Sequence, residues 1–210
     1  MVFCKTRFIC KAEREINKSK SMLPQHETKV TPQEYLAFER TSEIRHEFLD
    51  GEIFAMTGAT RRHNRIAVNL VHMLSAQLVA RPCGIYVSDM RVKIEAIEKY
   101  TYPDVVVACE PETFEDAEEN TLLNPILIIE ILSDSTEAYD RGDKFFHYRA
   151  MTSFIEYILV SQKIPCMERF TRQSDGSWLY SCFDDIQQKF QSSSTGCTIN
   201  LKEVYEKVSF

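Results

Sequence analysis

Two carboxylates and a lysine are spaced so that their side chains could form a site that binds a metal ion. Asp104 precedes the apolar run 105–107, Glu130 lies inside the apolar run 126–132, and Lys144 follows on a predicted helix. Burying a glutamate among aliphatic residues is costly unless something pairs with it, and such residues concentrate at functional sites. If Asp104 and Glu130 come together, a divalent cation relieves their repulsion. The pattern predicts a site for Mg²⁺ or Mn²⁺.

The spacing of these residues favours one arrangement of the two strands. If the strand that follows Asp104 and the strand that ends near Leu132 are antiparallel neighbours, the start of one lies beside the end of the other. Directly opposed residues have Cβ atoms about 5 Å apart, which suits two carboxylates that share one ion. The carbonyl of Ile131 is a further candidate ligand. Lys144 lies early in the next helix, and its long side chain can reach back to the site.

This arrangement suits the hydrolysis of a phosphodiester bond. A cation held by Asp104 and Glu130 would polarise the phosphodiester and lower the pKa of a bound water. Lys144 would orient that water or stabilise the charge that develops on the phosphate. Glu52, just past a predicted hairpin turn, is a candidate third acid. His63, at the start of a long predicted helix, could contact a phosphate or hold a metal ligand in place.

Each of the three central residues also has an ordinary structural interpretation. Asp104 follows a proline and could simply occupy a turn. Glu130 could form a buried ion pair with Arg91. Lys144 could pair on the surface with Asp140, one helical turn earlier. The sequence leaves these alternatives open.

The neighbouring polar residues are open to two interpretations as well. Glu52 could be solvated beside its turn, and His63 could face solvent or cap its helix. Arg61, Arg62 and Arg65 cluster beside His63. They could contact nucleic-acid phosphates or form a solvated helix face.

The elements that must position these residues begin with a helix and a hairpin. Thr31, Pro32 and Glu34 form a capping-box pattern, which predicts a helix that ends near Arg40. Asp50-Gly51 lies between two apolar-containing segments and predicts a tight hairpin. Apolar residues at helical spacing predict a long helix over residues 63–80.

The rest of the chain is rich in strand patterns. Predicted strands cover 85–87, 90–94, 105–108, 126–132 and 155–160; a helix covers 137–151; a second hairpin joins 166–171 to 178–183; and a short helix covers 201–207. The strand–helix–strand order around residues 137–151 predicts a parallel pair. The acidic stretch 110–119 is expected to be a solvated loop. The pattern is that of an α/β (α+β) fold, with a mixed sheet flanked by helices.

Length and composition are those of an ordinary globular domain. The chain has 210 residues, 44% hydrophobic and 27% charged, with a net charge of −6. We expect one domain over residues 30–210, after a disordered extension over residues 1–29. Without an apolar run of about 20 residues or a secretory signal, a cytoplasmic location and no membrane partner are expected. The acidic net charge is not typical of a basic nucleic-acid-binding domain.

The cysteines do not predict a metal site. The chain has seven, widely spaced and without a Cys-x-x-Cys pair, so a zinc ribbon is not expected. Reduced thiols are the expectation for a cytoplasmic protein.

The motifs together resemble the PD-(D/E)XK nuclease superfamily, and within it the Uma-type family of bacterial restriction-endonuclease-like proteins. The resemblance spans 31–160 and rests on residues 47–52, 63–64, 103–105, 129–133 and 140–144. It implies a restriction-endonuclease-like core and Asp104 and Glu130 as metal ligands. The superfamily places its lysine two residues after the second acid, where this chain has Leu132. The resemblance implies that Lys144 replaces it.

Two classes of function follow from this sequence. The first is a Mg²⁺- or Mn²⁺-dependent endonuclease that hydrolyses DNA, with Asp104, Glu130 and Lys144 as catalytic residues. The second is a non-catalytic module that keeps the nuclease fold and binds a nucleic acid or a protein. A homodimer is expected by analogy at the level of the fold, since a two-fold dimer suits the cutting of both strands of a duplex.

Overall fold

Residues 29–210 are described by the structure, a computed structural model. The extension predicted for residues 1–29 therefore lies, except for Lys29, outside the described residues. The domain boundary placed at residue 30 stays a prediction. Within residues 29–210, no helix combines the length and the apolar character that crossing a bilayer requires.

The described chain alternates between helices and short strands. The helices are α1 (Pro32–Glu39), α2 (Arg61–Leu78), α3 (Glu137–Tyr139), α4 (Phe145–Tyr148) and α5 (Leu201–Val204), with a 3₁₀ turn at Glu95–Ile97 and a π-helical turn at Asp140–Lys144. The strands are β1 (His46–Leu49), β2 (Glu52–Ala55), β3 (Cys83–Val87), β4 (Arg91–Ile94), β5 (Lys99–Thr101), β6 (Val105–Cys109), β7 (Thr121–Leu122), β8 (Leu127–Leu132), β9 (Glu156–Ser161), β10 (Met167–Arg172), β11 (Trp178–Phe183), β12 (Lys189–Gln191) and β13 (Thr198–Asn200).

The strands form two mixed sheets and one short ladder. The larger sheet has the strand order β11-β10-β9-β8-β6-β3, and its only parallel pair, among the described strands, is β8 with β9. The second sheet has the order β2-β1-β5-β4-β7, and β12 pairs with β13. The crossover between β8 and β9 runs through α3, the π-helical turn and α4, as expected for a parallel connection. The predicted mixed α/β fold is confirmed.

The larger sheet is buried on both faces. Val105, Val107, Ile129 and Ile158 pack with α2 and α5 on one face, together with Leu70. The alternate residues of these strands, such as Val106 and Ile128, face the other way. They pack in one cluster with aromatic residues that follow the π-helical turn in sequence: Tyr148, Phe154 and Tyr157. Because side chains alternate along a strand, even-numbered positions of β8 face the crossover. Glu130 is one of them.

The local signals for the first elements are confirmed. Thr31 and Glu34 form the capping box of α1. Asp50 and Gly51 turn the β1–β2 hairpin, and both have the positive φ that such a turn requires. The side chain of Thr60 caps α2, which places the start of this helix at Arg61, two residues before the predicted start.

Three expectations need correction. The acidic stretch is not fully solvated, because Lys93 and Tyr100 both donate to Oε1 of the partly buried Glu115. The reduced state is wrong for two of the cysteines, because the β3–β6 register sets Cys83 opposite Cys109 and they form a disulfide bond. The predicted helix over residues 137–151 ends at Tyr148 and contains the π-helical turn.

Candidate active site

Asp104 and Glu130 are brought together by the pairing of β6 with β8. The two strands are antiparallel, and Val105 lies opposite Ile129. The same register, carried one position further, sets Asp104 opposite Glu130. The Asp104 side chain is fixed there because its Oδ2 accepts the backbone N–H of Ile131 at 2.7 Å. The predicted antiparallel arrangement of these strands is confirmed.

Glu130 is a buried carboxylate with two hydrogen-bond donors. Its side chain points into the aromatic cluster, and the residue is 3% exposed. Lys144 Nζ lies 2.9 Å from its Oε1, and the Tyr148 hydroxyl donates to the same oxygen at 2.8 Å. Burial raises the pKa of Glu130 to about 8; Lys144 opposes this shift, and the negative charge of Asp104 adds to it. Burial and the nearby charge of Asp104 therefore outweigh Lys144, and they favour the protonated form of Glu130.

The alternative ion pair of Glu130 with Arg91 is wrong. Arg91 is buried in the second sheet, where its guanidinium donates to Thr121 Oγ1 at 2.9 Å and to Asn120 Oδ1 at 3.0 Å. The cation that contacts Glu130 is Lys144.

Lys144 lies at the centre of a group of three carboxylates. Its Nζ is 2.9 Å from Glu130, 3.4 Å from Oε1 of Glu47 and 3.5 Å from Oδ1 of Asp140. Burial opposes the charged form, but the carboxylates outweigh it and hold the pKa of Lys144 well above its usual value. The alternative pair with Asp140 exists, but it is buried rather than on the surface.

The π-helical turn places Lys144 and Asp140 on one side of the crossover. In this turn, residues four apart face nearly the same direction, so Asp140 lies beside Lys144, which contacts Glu130. π-helical turns are rare in proteins, and those that occur are often found at functional sites. The next residues continue as α4, which carries Tyr148 to the same oxygen of Glu130 that Lys144 contacts.

Glu47 is a functional candidate that the sequence did not single out. It belongs to β1, and its carboxylate accepts the hydroxyl of Thr101 and faces two lysines, Lys144 and Lys99. Burial acts to raise the pKa of Glu47, but the two lysines lower it below its usual value. The available signal was its place in the segment 47–52, which carried part of the family resemblance.

Lys99 is the second lysine of this group and is completely buried. Its Nζ lies 4.0 Å from Oε2 of Glu47 and 3.3 Å from Nδ1 of His147, and it donates to the Tyr139 hydroxyl. Burial lowers the pKa of Lys99 to about 8, although Glu47 acts in the opposite direction. Lys99 lies on β5, a three-residue strand that the sequence pattern did not predict.

His63 is also brought to the site, whereas Glu52 is not. His63 Nε2 lies 3.1 Å from Oδ2 of Asp104, and its backbone N–H donates to the capping side chain of Thr60. Glu52 lies exposed at the start of β2, opposite Leu49. Within the described part of the chain it makes no ion pair with the other candidate residues.

The arginines beside His63 lie on the surface. Arg61, Arg62 and Arg65 are all exposed, on the first turns of α2. A basic side chain at a helix N-terminus is unfavourable for the helix, because the helix dipole is positive there. Helix stability therefore does not explain this cluster.

The charges of the site leave room for a divalent cation. Three carboxylates face Lys144: those of Glu47, Glu130 and Asp140. Glu47 also faces Lys99, and the charge of Asp104 acts on Glu130. With all four of these acids ionised, their negative charges exceed the two ammonium charges by two. Its oxygen donors suit a hard cation such as Mg²⁺, which usually takes one or two protein carboxylates and keeps several waters. Residues 29–210 contain no complete cage of three or more acidic, histidine or cysteine ligands, so waters or substrate oxygens would complete the shell.

The fold and the site define a class of protein. The fold is a mixed sheet flanked by helices; Asp104 directly precedes β6, Glu130 lies on the neighbouring β8, and Lys144 contacts Glu130. This arrangement resembles that of restriction-endonuclease-like proteins. The profile of the Uma2 family, described as "Putative restriction endonuclease", matches residues 32–201. The chain belongs to this family.

The chain is also similar to two curated relatives and to one solved structure. The chain is 35% identical over 185 residues to the uncharacterized protein slr1290 of Synechocystis sp. (strain ATCC 27184 / PCC 6803 / Kazusa), covering 87% of this chain and 94% of that protein. It is 39% identical over 150 residues to the uncharacterized protein sll1609 of the same organism, covering 71% and 85%. A crystal structure of a "putative nuclease belonging to DUF820" from Anabaena variabilis ATCC 29413 has a TM-score of 0.71 at 16% identity, covering 86% of this chain and 99% of that one. This last likeness shows a shared fold.

Proposed function

We propose that this protein is a metal-dependent endonuclease that hydrolyses the phosphodiester bonds of DNA. One observation carries the proposal: the ammonium group of Lys144 lies 2.9 Å from the carboxylate of Glu130, on the strand position opposite Asp104. Membership of a family of restriction-endonuclease-like proteins supports the nuclease class.

The cation would be held by Asp104 and Glu130, with the carbonyl of Ile131 as a third candidate ligand. Two observations support this assignment. The acids of the site outnumber its two lysines, and the pKa of Glu130 is raised. When bound, Mg²⁺ or Mn²⁺ would polarise the phosphodiester and supply a water of lowered pKa.

The protein's own residues would hold the reacting groups in place. Lys144 would orient the attacking water or stabilise the negative charge that develops on the phosphate. His63 Nε2 and the N–H of Ile131 both bind the same oxygen of Asp104, which leaves its other oxygen available. Tyr148 fixes the orientation of Glu130.

The arginines of the first turns of α2 would contact the DNA backbone. Arg61, Arg62 and Arg65 are exposed and follow one another on the helix that carries His63. Phosphate contacts position a nucleic acid without reading its sequence. A local basic cluster also explains how a chain with a net charge of −6 could bind DNA. A homodimer would let two such sites act on the two strands of a duplex.

A plasmid-cleavage assay tests the proposal. Supercoiled plasmid is incubated with the protein in Mg²⁺, in Mn²⁺ and in EDTA, and nicked and linear products are measured. We expect cleavage that needs the metal, and a loss of about 100-fold or more in Glu130→Gln and Asp104→Asn. Glu52→Gln removes a carboxylate outside the site and is the matched control, expected to cleave as the wild type does.

Metal binding is measured separately from cleavage. A cation that binds only the folded protein raises its stability, by about 2.7 kcal/mol at 100 times the dissociation constant. The melting temperature should therefore rise with Mg²⁺ in the wild type and in Glu52→Gln, but not in Asp104→Asn. Cleavage that survives both active-site substitutions would refute the assignment. DNA binding without any cleavage in either metal would favour the non-catalytic module instead.

A further inference from the structure

A pair of thiols lies outside the candidate active site, on the hairpin at one edge of the larger sheet. Cys166 directly precedes β10, Cys182 lies in β11, and their sulfur atoms are 3.9 Å apart. Cys182 is exposed and Cys166 is half-buried. The hairpin brings together two cysteines that are 16 residues apart in sequence.

The other described cysteines do not share this geometry. Cys83 and Cys109 are already joined by a disulfide bond, and Cys197 is buried in the core. Among the residues that the structure describes, only Cys166 and Cys182 combine sulfur atoms in contact with access from solvent.

The two thiols differ in how firmly the fold holds them. The Tyr205 hydroxyl accepts the backbone N–H of Cys166 at 3.1 Å and donates to its carbonyl at 2.7 Å. Cys182 lies on β11, which among the described strands is an edge strand with β10 as its one neighbour. A disulfide bond needs sulfur atoms about 2.05 Å apart. Closing the gap from 3.9 Å requires the two side chains to rotate and the edge strand that carries Cys182 to shift.

We propose that Cys166 and Cys182 form a reversible redox site that closes to a disulfide bond by exchange with a low-molecular-weight disulfide. The thiolate of Cys182 attacks one sulfur of the reagent, the reagent's S–S bond breaks, and one reagent thiolate leaves. The sulfur of Cys166 then loses its proton to solvent and attacks Cys182 Sγ in the mixed disulfide, and the second reagent thiolate leaves. Two protein thiols are oxidised, and one reagent disulfide is reduced to two thiols.

The order of these two steps follows from the environment of each thiol. Only the thiolate is nucleophilic. Burial raises the pKa of Cys166 to about 11, and its proximity to Cys182, Glu168 and Asp184 adds to the shift. Cys166 is therefore a poor first nucleophile. The exposed Cys182 reacts first, and Cys166 reacts in the second step because the mixed disulfide is held beside it.

Mass spectrometry of the full chain tests the proposal without reference to nuclease activity. Cys4→Ser and Cys10→Ser form the background, because these two cysteines lie outside the described residues. The protein is treated with oxidised glutathione, digested without reduction and analysed. We expect a peptide pair linked through Cys166 and Cys182, a mass lower by two hydrogen atoms, and recovery of the original mass with dithiothreitol.

Single substitutions distinguish an exchanging pair from two independent thiols. In Cys166→Ser the second step is blocked, so a glutathione adduct should accumulate on Cys182. An intramolecular thiol acts at an effective concentration in the millimolar range. The protein that retains both Cys166 and Cys182 should therefore carry less than about a tenth of the glutathione adduct found on Cys166→Ser. Cys197→Ser is the control and should behave as the background does.

Three results would each overturn the proposal. One is a stable adduct on the protein that retains both cysteines, as abundant as that on Cys166→Ser. Another is a separate adduct on each of the two thiols. The third is the absence of the linked peptide after oxidation, which is read from the protein with both cysteines and does not depend on any variant folding.

Discussion

The ammonium nitrogen of Lys144 lies 2.9 Å from Oε1 of Glu130, and both side chains are almost completely withdrawn from solvent. The pKa values of both residues are raised. A simple ion pair would raise the pKa of the lysine and lower that of the acid. The raised pKa of Glu130 shows that burial and neighbouring carboxylates outweigh the single ammonium group. A proton on Glu130 or a bound cation would each reduce this excess of negative charge.

Removal of Lys144 should strongly destabilise the protein. Lys144→Met leaves Glu130, Glu47 and Asp140 without their shared cation, and breaking a buried ion pair from one side costs about 3–5 kcal/mol. We expect the free energy of unfolding at pH 7.5, measured with urea, to fall by that amount. The loss should be smaller at pH 5, where the carboxylates can take up protons.

A surface lysine provides the matched control for this substitution. Lys163 forms ion pairs with Asp134 and Glu137, but its side chain is about half exposed (54%). Lys163→Met should cost less than about 1 kcal/mol. If Lys144→Met is no less stable than Lys163→Met, Lys144 does not provide the charge that stabilises the buried carboxylates around it.

The second lysine should reveal itself in the pH dependence of stability. Burial lowers the pKa of Lys99 from 10.5 to about 8 in the folded protein. Between these values the unfolded chain binds more protons than the folded one, so this residue makes stability rise with pH, by at most about 1.4 kcal/mol per pH unit. The stability of the wild type relative to Lys99→Met should increase by about 2 kcal/mol from pH 8 to pH 10.

The free energies of unfolding of the wild type and of Lys99→Met are measured at several pH values, and one is subtracted from the other. The subtraction removes the contribution of the tyrosines and cysteines that both proteins share. Lys202→Met, which replaces an exposed lysine on α5, is the control. A wild-type advantage over Lys99→Met that stays constant over this pH range would show that Lys99 is not the group that titrates.

The sequence was sufficient for the part of the site that local pattern determines. Asp104 precedes one apolar run and Glu130 lies near the end of another, and the antiparallel register of those runs, continued by one position, sets the two acids opposite each other. Lys144 follows in the crossover that a parallel strand pair requires. These positions depend on short-range pattern and on simple rules of strand connection.

Glu47 and Lys99 could not be predicted in the same way. Each reaches Lys144 or its neighbours from a different strand of the second sheet, and that approach depends on how two sheets pack. The strand of Lys99 has only three residues, too few for a period to appear. The disulfide bond between Cys83 and Cys109 depends on the β3–β6 register, which the sequence did not specify.

His63 should act as a positioning residue for Asp104. Its Nε2 lies 3.1 Å from Oδ2 of the carboxylate, and the loss of a partner that orients a metal ligand typically costs about 10–100-fold in metal affinity or activity. We expect His63→Ala to weaken Mg²⁺ binding, measured from the rise in melting temperature, and to slow plasmid cleavage by a similar factor. The fold should be retained, because the His63 side chain is partly exposed (15%) and is not part of the hydrophobic core.

The neighbouring Asn64 gives the control for this substitution. Asn64 is exposed on the same helical turn, so Asn64→Ala should leave both measurements unchanged. A His63→Ala protein with wild-type affinity for Mg²⁺ and wild-type cleavage would limit the histidine to a structural contact.

The arginine cluster should be visible in the salt dependence of DNA binding. If Arg61, Arg62 and Arg65 contact phosphates, replacing all three with alanine should weaken binding to any sequence. The slope of log K against log salt concentration should fall in magnitude by about 0.9 for each phosphate that an arginine no longer neutralises. The control replaces Lys189, Lys202 and Lys207, three exposed lysines elsewhere, so the net charge changes equally. If both triple variants show the same decrease in affinity and in slope, the total charge of the protein determines binding. The proposed contact of Arg61, Arg62 and Arg65 with DNA would then be wrong.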